Sequence, residues 1–542
     1  MTTPPPAPPV IHISLSHPQV PVQHSPSFSS QLPFPRLLSN GIPLPPRSQH
    51  LLSHFANNIL ASLSCHPSIH ADFRDGLIPA TLASPPLLSA CLALAAAGLL
   101  SRGVMSLDGV ATTRVLEHLE SSGLALLRET LGRSGGGSGG PGGLLLDETA
   151  MATCLVWCLA DVFAFDRGAV AGENTRTAGE STSNSTVRGG GGKMTRGTAW
   201  RIHLRGIRAL LDREGPHRDF RDSKGKLRAA RRHLYQLYLA LRTLPYIPAS
   251  EEVEDAEQEK EEQDGNEEVK DCEGGLVVGS KRLRRPRMIG PEPVASVLLS
   301  SSSAPSSEID GFLGYSDELL DVIRQIDHLS RSAPFPVPTT STSPSPPPTT
   351  ATTTKQTTTP ISTPTPIPTP ADTLLTHLHH IIARDTAHPP TINIPPPITP
   401  SYTHEFTLCH YIFLQSTLIH LHRRLYHLPS SSPPIRTATN TLTALLHEIS
   451  SIRDATEPCH TWVAMAMPLF TLGCEVVEDE GVEFVLEGLG RLEGCVRSGH
   501  VGGMRRALGD VWRLRREWGD WGRGEVCAGV LLGRLDYHVV LF

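Results

Sequence analysis

Aromatic residues are scarce in this chain of 542 residues, at 5%, and long apolar runs are missing. The most apolar run, residues 85–100, has 16 residues, whereas a membrane-spanning helix needs about 20. No apolar segment lies close to Met1, and the first basic residue is Arg36, so we expect no secretory signal. These absences argue against a membrane protein and against a secreted one.

Cysteine pairs at metal-binding spacing are also missing. The ten cysteines are spread along the chain, no Cys-x-x-Cys occurs, and the closest two are Cys154 and Cys158. Those two lie one helical turn apart and could form half of a metal site, but no second pair stands nearby. We therefore interpret the cysteines as reduced thiols, mostly in the core, and predict neither a metal nor a cofactor.

Catalytic motifs are absent or stand in the wrong context. There is no Gly-Lys-Ser/Thr of a phosphate loop. Residues 136–140 fit the Gly-x-Ser-x-Gly pattern of a hydrolase nucleophile elbow, but they form a poly-glycine linker between predicted helices, where an elbow needs a preceding strand. A histidine group has no Cys or acidic residue at ligand spacing and predicts no zinc site; its members are His410, His420, His422 and His427. We predict that the chain is not an enzyme, and a helical enzyme is the least favoured alternative.

Apolar residues recur at three- and four-residue steps along much of the remaining chain, which predicts an all-α fold of stacked helices. Residues 85–100 are apolar all round and are expected in the middle of the helical stack. No apolar pattern alternates at period two for long enough to indicate a sheet.

A short amphipathic helix is predicted in the middle of the chain, after Gly311 in the run GFLGYSDELLDVIRQIDHLS. Ser316 is placed to cap it, and Asp317 and Glu318 put negative charge in its first turn, where the helix dipole favours it. A single apolar stripe follows, formed by Leu319, Val322, Ile323, Ile326 and Leu329. An isolated helix of this length is marginal in water, so it must share one core with segments far upstream and far downstream.

Composition divides the chain into helical segments and insertions that we expect to be disordered. One helical domain is predicted in pieces, at 51–246, 308–330 and 401–542, with Gly-rich insertions at 132–146 and 168–198. The predicted disordered ranges are a Pro/Ser-rich 1–50, an acidic and then basic 247–307, and a Thr/Pro-rich 331–400. Within the last range, a short helix is expected at residues 371–384, followed by a Pro-rich loop at 385–400.

Charge is unevenly distributed, and the 247–307 insertion holds most of the asymmetry. Residues 251–273 carry 13 acidic side chains and 2 lysines, and the rest of the chain is mildly basic. A basic cluster follows, which could be a nuclear localisation signal, a phosphate-contacting patch or a merely solvated loop; it comprises Lys281, Arg282, Arg284, Arg285 and Arg287.

Four segments resemble the fungal-specific transcription factor domain, the regulatory region of fungal binuclear zinc cluster proteins. They are SPPLLSACLALAAAGL near Leu87, the pair DETAMATCLVWCLADVF and WRIHLRGIRALL, the central GFLGYSDELLDVIRQIDHLS, and MPLFTLGCEV with the later Val511-Trp512 helix. In the second segment a Trp-x-x-His-Leu-x-Gly pattern is matched by Trp200, His203, Leu204 and Gly206. The resemblance implies an all-α domain, a nuclear location and a role in regulating transcription.

The chain departs from the resembled family at the DNA reader. That reader is a cluster of six cysteines around two zinc ions, whereas the first cysteine here is Cys65, already inside the helical domain. Two explanations stay open: an upstream exon is missing from this sequence, or the protein acts through partners. We expect a nuclear regulator that contacts a DNA-binding partner protein, the transcription machinery, a second copy of itself or a small molecule, and that reaches DNA only indirectly. A non-catalytic helical scaffold without a link to transcription is the alternative.

Overall fold

The computed structural model describes residues 38–39, 42–134, 143–164, 199–214, 226–243, 307–332, 369–394, 396, 398–453, 459–496, 498–517 and 531–532. Over these residues the fold is all-α, as predicted. The helices are α1 Pro46–His54, α2 Pro67–Ala83, α3 Pro85–Ser101, α4 Thr112–Ser134, α5 Gly143–Phe163, α6 Ala199–Glu214, α7 Lys226–Thr243, α8 Asp317–Ser332, α9 Pro370–Ala387, α10 Pro400–Arg424, α11 Pro433–Ser451, α12 Ala466–Glu475, α13 Asp479–Val496 and α14 Gly499–Glu517.

Short strands and turns connect some of these helices. A π-helical turn, Phe55–Ile59, and a 3-10 turn, Leu60–Ser62, follow α1, and a second 3-10 turn, His460–Ala464, precedes α12. Two antiparallel pairs join β1 (Leu38–Ser39) to β2 (Ile42–Pro43) and β3 (Ser106–Leu107) to β4 (Val110–Ala111). One parallel pair joins β5 (Glu308–Asp310) to β6 (Thr391–Asn393), and it ties two distant parts of the chain together.

The helices pack as layers around one continuous core. Helix α3 lies between α4 and α5, α5 also packs on α6, and α2 packs on α7. In the C-terminal part α10 packs on α11, and α12 lies against α13 and α14. The larger of two clusters of buried apolar side chains runs from Leu44 to Leu532 and includes the stripe of α8. The central helix therefore shares its core with both flanking parts, as its sequence required.

Local sequence signals explain where α8 begins. The backbone N–H of Leu319 donates to Ser316 Oγ at 3.3 Å, which confirms the predicted N-cap. Asp317 and Glu318 occupy the first turn. The stripe residues Leu319 and Val322 are buried, with exposed fractions of 0% and 1%.

The range 331–400 contains an ordered part that the composition concealed, and this corrects its assignment to a disordered insertion. Helix α9 begins with Thr369 and Asp372 in a reciprocal capping box, and Pro370 occupies the first helical position, where its fixed φ and missing N–H are compatible with a helix. Leu378 and Ile381 of this helix are fully buried. The short helix expected at residues 371–384 is therefore confirmed and is longer than expected, and strand β6 lies in the part expected to be a Pro-rich loop.

Two further boundaries differ from the prediction. Helix α1 starts at Pro46, inside the range 1–50 expected to be disordered, because Leu51 and Leu52 must be buried and the helix needs a first turn before them. Helix α4 ends at Ser134 and helix α5 begins at Gly143, so the two helices occupy both ends of the predicted Gly-rich insertion 132–146. The insertions at 168–198 and 247–306 lie outside the described residues, so their predicted disorder stays a prediction.

Candidate functional site at the junction of the chain segments

A tight turn at 310–315 lies where the three pieces of the domain meet. The backbone N–H of Gly314 donates to the Asp310 carbonyl at 2.8 Å, and the Asp310 N–H donates to the Tyr315 carbonyl at 3.1 Å. Gly314 has φ +84°, and a Cβ there would lie 2.7 Å from Cys409 Sγ and 3.2 Å from Cys65 Sγ. Glycine is required both for the left-handed backbone and for this close approach.

The carboxylate of Asp310 holds this turn against helix α7. It is 4% exposed. Its Oδ1 accepts the backbone N–H groups of Phe312 at 2.8 Å and Leu313 at 3.2 Å. Its Oδ2 accepts from Gln236 Nε2 at 2.6 Å and from Arg232 Nη2 at 3.0 Å. The buried charge is therefore satisfied on both oxygens, as a buried carboxylate requires.

An apolar pocket of about 40 Å³ opens beside this turn. Every residue that lines it is uncharged, and the lining comes from the 62–65 segment, α7, the 312–315 turn, α10, the 3-10 turn at 463–464 and the end of α13. Its wall therefore belongs to all pieces of the domain. Such a volume is far below that of a site that encloses a drug-sized ligand.

Tyr315 supplies the aromatic wall of the pocket together with Phe413. Their ring centroids lie 4.1 Å apart at an interplanar angle of 25°. Tyr315 is 1% exposed, and its hydroxyl has no hydrogen-bond partner among the described residues. Burial, followed by the neighbouring Cys409 and Cys65, raises the pKa of Tyr315 well above its usual value. At neutral pH the hydroxyl is therefore a protonated donor.

The two thiols beside Gly314 are poor nucleophiles. Burial is the main cause that raises the pKa of Cys65 and of Cys409 well above the usual thiol value. The thiolate is the reactive form of cysteine, so these side chains behave as small apolar groups.

A second buried charge, Asp385, lies at the C-terminal end of α9 and is 0% exposed. His410 Nε2 lies 2.9 Å from its Oδ2, and Arg384 Nε donates to its Oδ1 at 2.8 Å. The Ser307 hydroxyl donates to Oδ2 at 3.2 Å. Burial alone would raise the pKa of Asp385, but the bonds from His410 and Arg384 outweigh it, and the pKa lies below its usual value. The carboxylate is ionised and joins strand β5 to α9 and α10.

The residue types of a hydrolase triad meet here in Ser307, Asp385 and His410, but their hydrogen bonds do not connect them in the order that a triad requires. In a triad the histidine accepts the proton of the serine, whereas here both side chains bond the same oxygen of Asp385. All three side chains are buried as well. The arrangement can hold segments together, and it does not activate the serine hydroxyl.

Arg384 extends the network to the central helix. Its Nη2 donates to Glu318 Oε2 at 2.9 Å, and His377 Nε2 lies 3.4 Å from Glu318 Oε1. The acidic first turn of α8 is thus a contact surface for α9 in addition to a favourable partner of the helix dipole.

The side chains considered as metal ligands in the sequence lie on different helices, Cys154 and Cys158 on α5 and His420 on α10. Cys154 and Cys158 are buried, and burial raises the pKa of Cys154 to about 11, so the prediction of core thiols is confirmed for this pair. His420 Nε2 lies 2.9 Å from Thr471 Oγ1. The basic cluster of Lys281, Arg282, Arg284, Arg285 and Arg287 lies outside the described residues.

The resembled Trp-x-x-His-Leu-x-Gly pattern is a packing motif of α6 against α5. Trp200 is 1% exposed, and His203 Nε2 lies 3.4 Å from Asp161 Oδ2. A Cβ at Gly206 would lie 3.8 Å from Cys154 Sγ, which is an ordinary contact distance, so the packing of α6 on α5 does not require glycine at this position.

Sequence reasoning missed Asp310 and Asp385, which organise the junction. Asp310 had a detectable signal, because it precedes a run with two glycines, Gly311 and Gly314, and short turns favour aspartate at their start. Asp385 had no detectable signal in the sequence. Apart from the adjacent Arg384, its partners lie 25 or more residues away along the chain.

Two searches over the described residues gave negative findings. No group of three or more His, Cys, Asp or Glu side chains is placed there to hold a metal ion. Among the described helices, none is long and apolar enough to cross a membrane.

Comparison with known proteins gave one match. A family model described as the fungal specific transcription factor domain matches residues 50–541. No curated protein and no solved structure matches the chain.

Proposed function

The chain belongs to the fungal-specific transcription factor domain family, and we propose that it is a nuclear transcriptional regulator whose helical domain acts through contacts with partners. The observation that carries the proposal is the extent of the match, which begins at residue 50 and ends at residue 541. One buried core joins the matched pieces on both sides of the insertions. The whole helical unit is therefore the regulatory domain.

The given sequence contains no Cys-x-x-Cys from which a binuclear zinc cluster could be built, so we propose that partners bring this domain to DNA unless an upstream segment supplies such a cluster. The partners would be a DNA-binding protein, the transcription machinery or a second copy of the chain. The family is a transcription factor domain, and the one serine, aspartate and histidine group of the junction lacks the order of a triad, so we propose no catalytic role.

A tethering experiment tests the regulatory role. The full chain is fused to a heterologous DNA-binding module, and a reporter with the matching sites is measured in a fungal host. We expect a clear change in reporter output, upward or downward, relative to the module alone. A variant with Asp385→Ala, which breaks the junction, serves as the matched control and should lose the effect. An unchanged reporter with a folded fusion would contradict the proposal and favour the scaffold alternative.

Nuclear import is proposed to depend on the basic cluster from Lys281 to Arg287. Residues 275–292 fused to a fluorescent protein should move it to the nucleus, because five closely spaced cations match the charge that an import receptor recognises. The control replaces Lys281, Arg282, Arg284, Arg285 and Arg287 by alanine in the same fusion. A reporter that stays cytosolic with the intact cluster would overturn this assignment.

A further inference from the structure

The pocket beside Tyr315 has properties that specify a ligand. Its lining carries no charged side chain, so it favours an uncharged molecule. Most of the lining is aliphatic or aromatic, including Leu237, Ala240, Phe312 and Phe413, so it favours an apolar body.

One polar group of the wall is unsatisfied. The Tyr315 hydroxyl has no hydrogen-bond partner among the described residues, although the side chain is 1% exposed. A buried hydroxyl without a partner is destabilising, and an acceptor brought by a ligand would remove that cost. The other hydroxyl of the lining, Ser62 Oγ, already donates to the Ile59 carbonyl at 2.8 Å. Tyr315 is therefore the donor that the wall leaves available.

We propose that this pocket binds a small uncharged molecule with an apolar body and one oxygen acceptor, such as a ketone, which accepts a hydrogen bond from Tyr315 Oη. The enclosed space is about 40 Å³. A water molecule occupies about 10–15 Å³ on a comparable measure, so the pocket takes roughly three or four non-hydrogen atoms. Val463 and Ala464 are the half-buried residues of its lining, so a longer chain would extend on their side.

The position of the pocket gives such binding a consequence. Its wall is built from the 62–65 segment, α7, the 312–315 turn, α10 and the ends of later elements, so a bound molecule contacts all pieces of the domain at once. Occupancy would stabilise their assembly by mass action. An effect of this binding on transcription rests on the proposed function, whereas the binding itself does not.

The experiment uses the purified full chain and two probe series. One series consists of methyl ketones from acetone, which matches the pocket in size, to octanone, and the other of hydrocarbons of the same shape, in which a methylene group replaces the carbonyl oxygen. Binding is followed by the melting temperature and by methyl NMR of Leu237 and Ala240. We expect saturable binding of both series and a preference for the ketone. The loss of one neutral hydrogen bond corresponds to about a 2- to 12-fold change in affinity.

Matched variants separate the hydroxyl from the cavity. Tyr315→Phe keeps the ring and removes the donor, so the ketone-to-hydrocarbon preference should fall to about one, while hydrocarbon binding stays. Tyr238→Phe removes a buried hydroxyl outside the pocket, one that accepts from Arg242 at 3.5 Å, and should leave both affinities unchanged. Ala240→Val fills the cavity and should weaken both series.

Three outcomes would overturn the site. The wild type could fail to saturate with any probe, or the ketone preference could survive in Tyr315→Phe. In the third outcome, no probe binds, and Tyr315→Phe lowers the melting temperature of the probe-free protein as much as Tyr411→Phe does. Tyr411 is the reference because its hydroxyl donates to the Asp385 carbonyl at 2.7 Å. That result would mean that the Tyr315 hydroxyl is satisfied by water. A positive binding result with an unchanged tethered reporter would keep the site and remove the proposed function.

Discussion

The layer of α3 and α5 and the junction around Asp310 and Asp385 are both buried, but they are held together by different forces. Residues 90–97 of α3 and 150–160 of α5 are buried on every side and almost entirely apolar, so their packing depends on shape and volume. The junction buries two carboxylates and a histidine, and two half-buried arginines contact the carboxylates; most of these partners come from distant segments. Apolar packing tolerates swaps of similar volume, whereas a buried charge requires its particular partners.

This difference suggests a division of roles. The apolar layer supplies much of the hydrophobic driving force, since each fully buried large aliphatic side chain contributes about 1.5–3 kcal/mol. The junction determines which segments meet, because a wrongly placed segment would leave Asp310 or Asp385 uncompensated. The inserted stretches of the chain can then vary while the pieces of the domain still find one another.

The largest expected loss of stability is found by comparing two substitutions that preserve side-chain volume, one in the junction and one in the apolar layer. Asp385→Asn keeps the volume but removes the charge that Arg384 and His410 contact, and we expect it to lower the free energy of unfolding by about 3 kcal/mol. Leu155→Met in α5, at a residue that is 0% exposed, should cost less than about 1.5 kcal/mol. Urea denaturation of both variants measures the difference. Equal losses would mean that the junction charges are not essential partners.

Acid should destabilise the C-terminal part before the apolar layer. Burial, and then Arg424, lowers the pKa of His420 to about 3, and burial, then Arg453 and two histidines, lowers that of His460 to about 4. Burial lowers the pKa of His500 to about 4 as well.

The sign of the acid effect follows from these three shifts. The folded state keeps each ring neutral while the unfolded chain takes up a proton below about pH 6.5. Stability is therefore complete above that pH and declines as the pH falls towards 4. Asp385 acts in the same direction at lower pH, because its depressed pKa contributes stability that is lost once it is protonated.

Hydrogen exchange as a function of pH checks this expectation. At about pH 5 the amides of α10 and α12 should exchange earlier than those of α3 and α5, because the two latter helices contain no histidine. The double replacement His420→Gln and His460→Gln should flatten the pH dependence of the melting temperature. Exchange that rises uniformly over all helices would show that acid does not distinguish the two regions.

A smaller loss of stability than that of Asp385→Asn is expected at the glycine of the junction turn. Gly314→Ala places a Cβ in a left-handed conformation and within 2.7 Å of Cys409 Sγ, so we expect a loss of about 2 kcal/mol. Gly509→Ala in α14 is the matched control, because no atom lies within 4 Å of the added Cβ. In a helix that change should stabilise by about 0.5–1 kcal/mol. A similar melting temperature for both variants would show that the turn relaxes without cost.

Elements with a complete local signal were predicted correctly. Helix α8 was predicted from Ser316, its acidic first turn and its apolar stripe. Each of these signals depends on residues no more than four positions apart, because helix caps, charges in the first turn and helical periodicity are all local features. Helix α9 was predicted only in part: residues 371–384 were expected to be helical, but its capping box at Thr369 and Asp372 was not recognised, and the Thr/Pro-rich range around it was assigned to a disordered insertion. The junction pocket had no sequence signal, since its wall is collected from residues as distant as Ser62 and Val496.

The sequence by itself determined the all-α class, the burial of α3, the central helix and the resemblance that the family match confirmed. Each of these depends on residues that are neighbours along the chain, or on motifs in a fixed order. Only the tertiary structure decided that Asp385 meets His410, that Asp310 meets Arg232, and that Tyr315 lies in an apolar pocket with its hydroxyl unsatisfied among the described residues. Those contacts form between segments far apart in sequence, and whether a polar group is satisfied depends on what the folded chain places within about 3 Å of it.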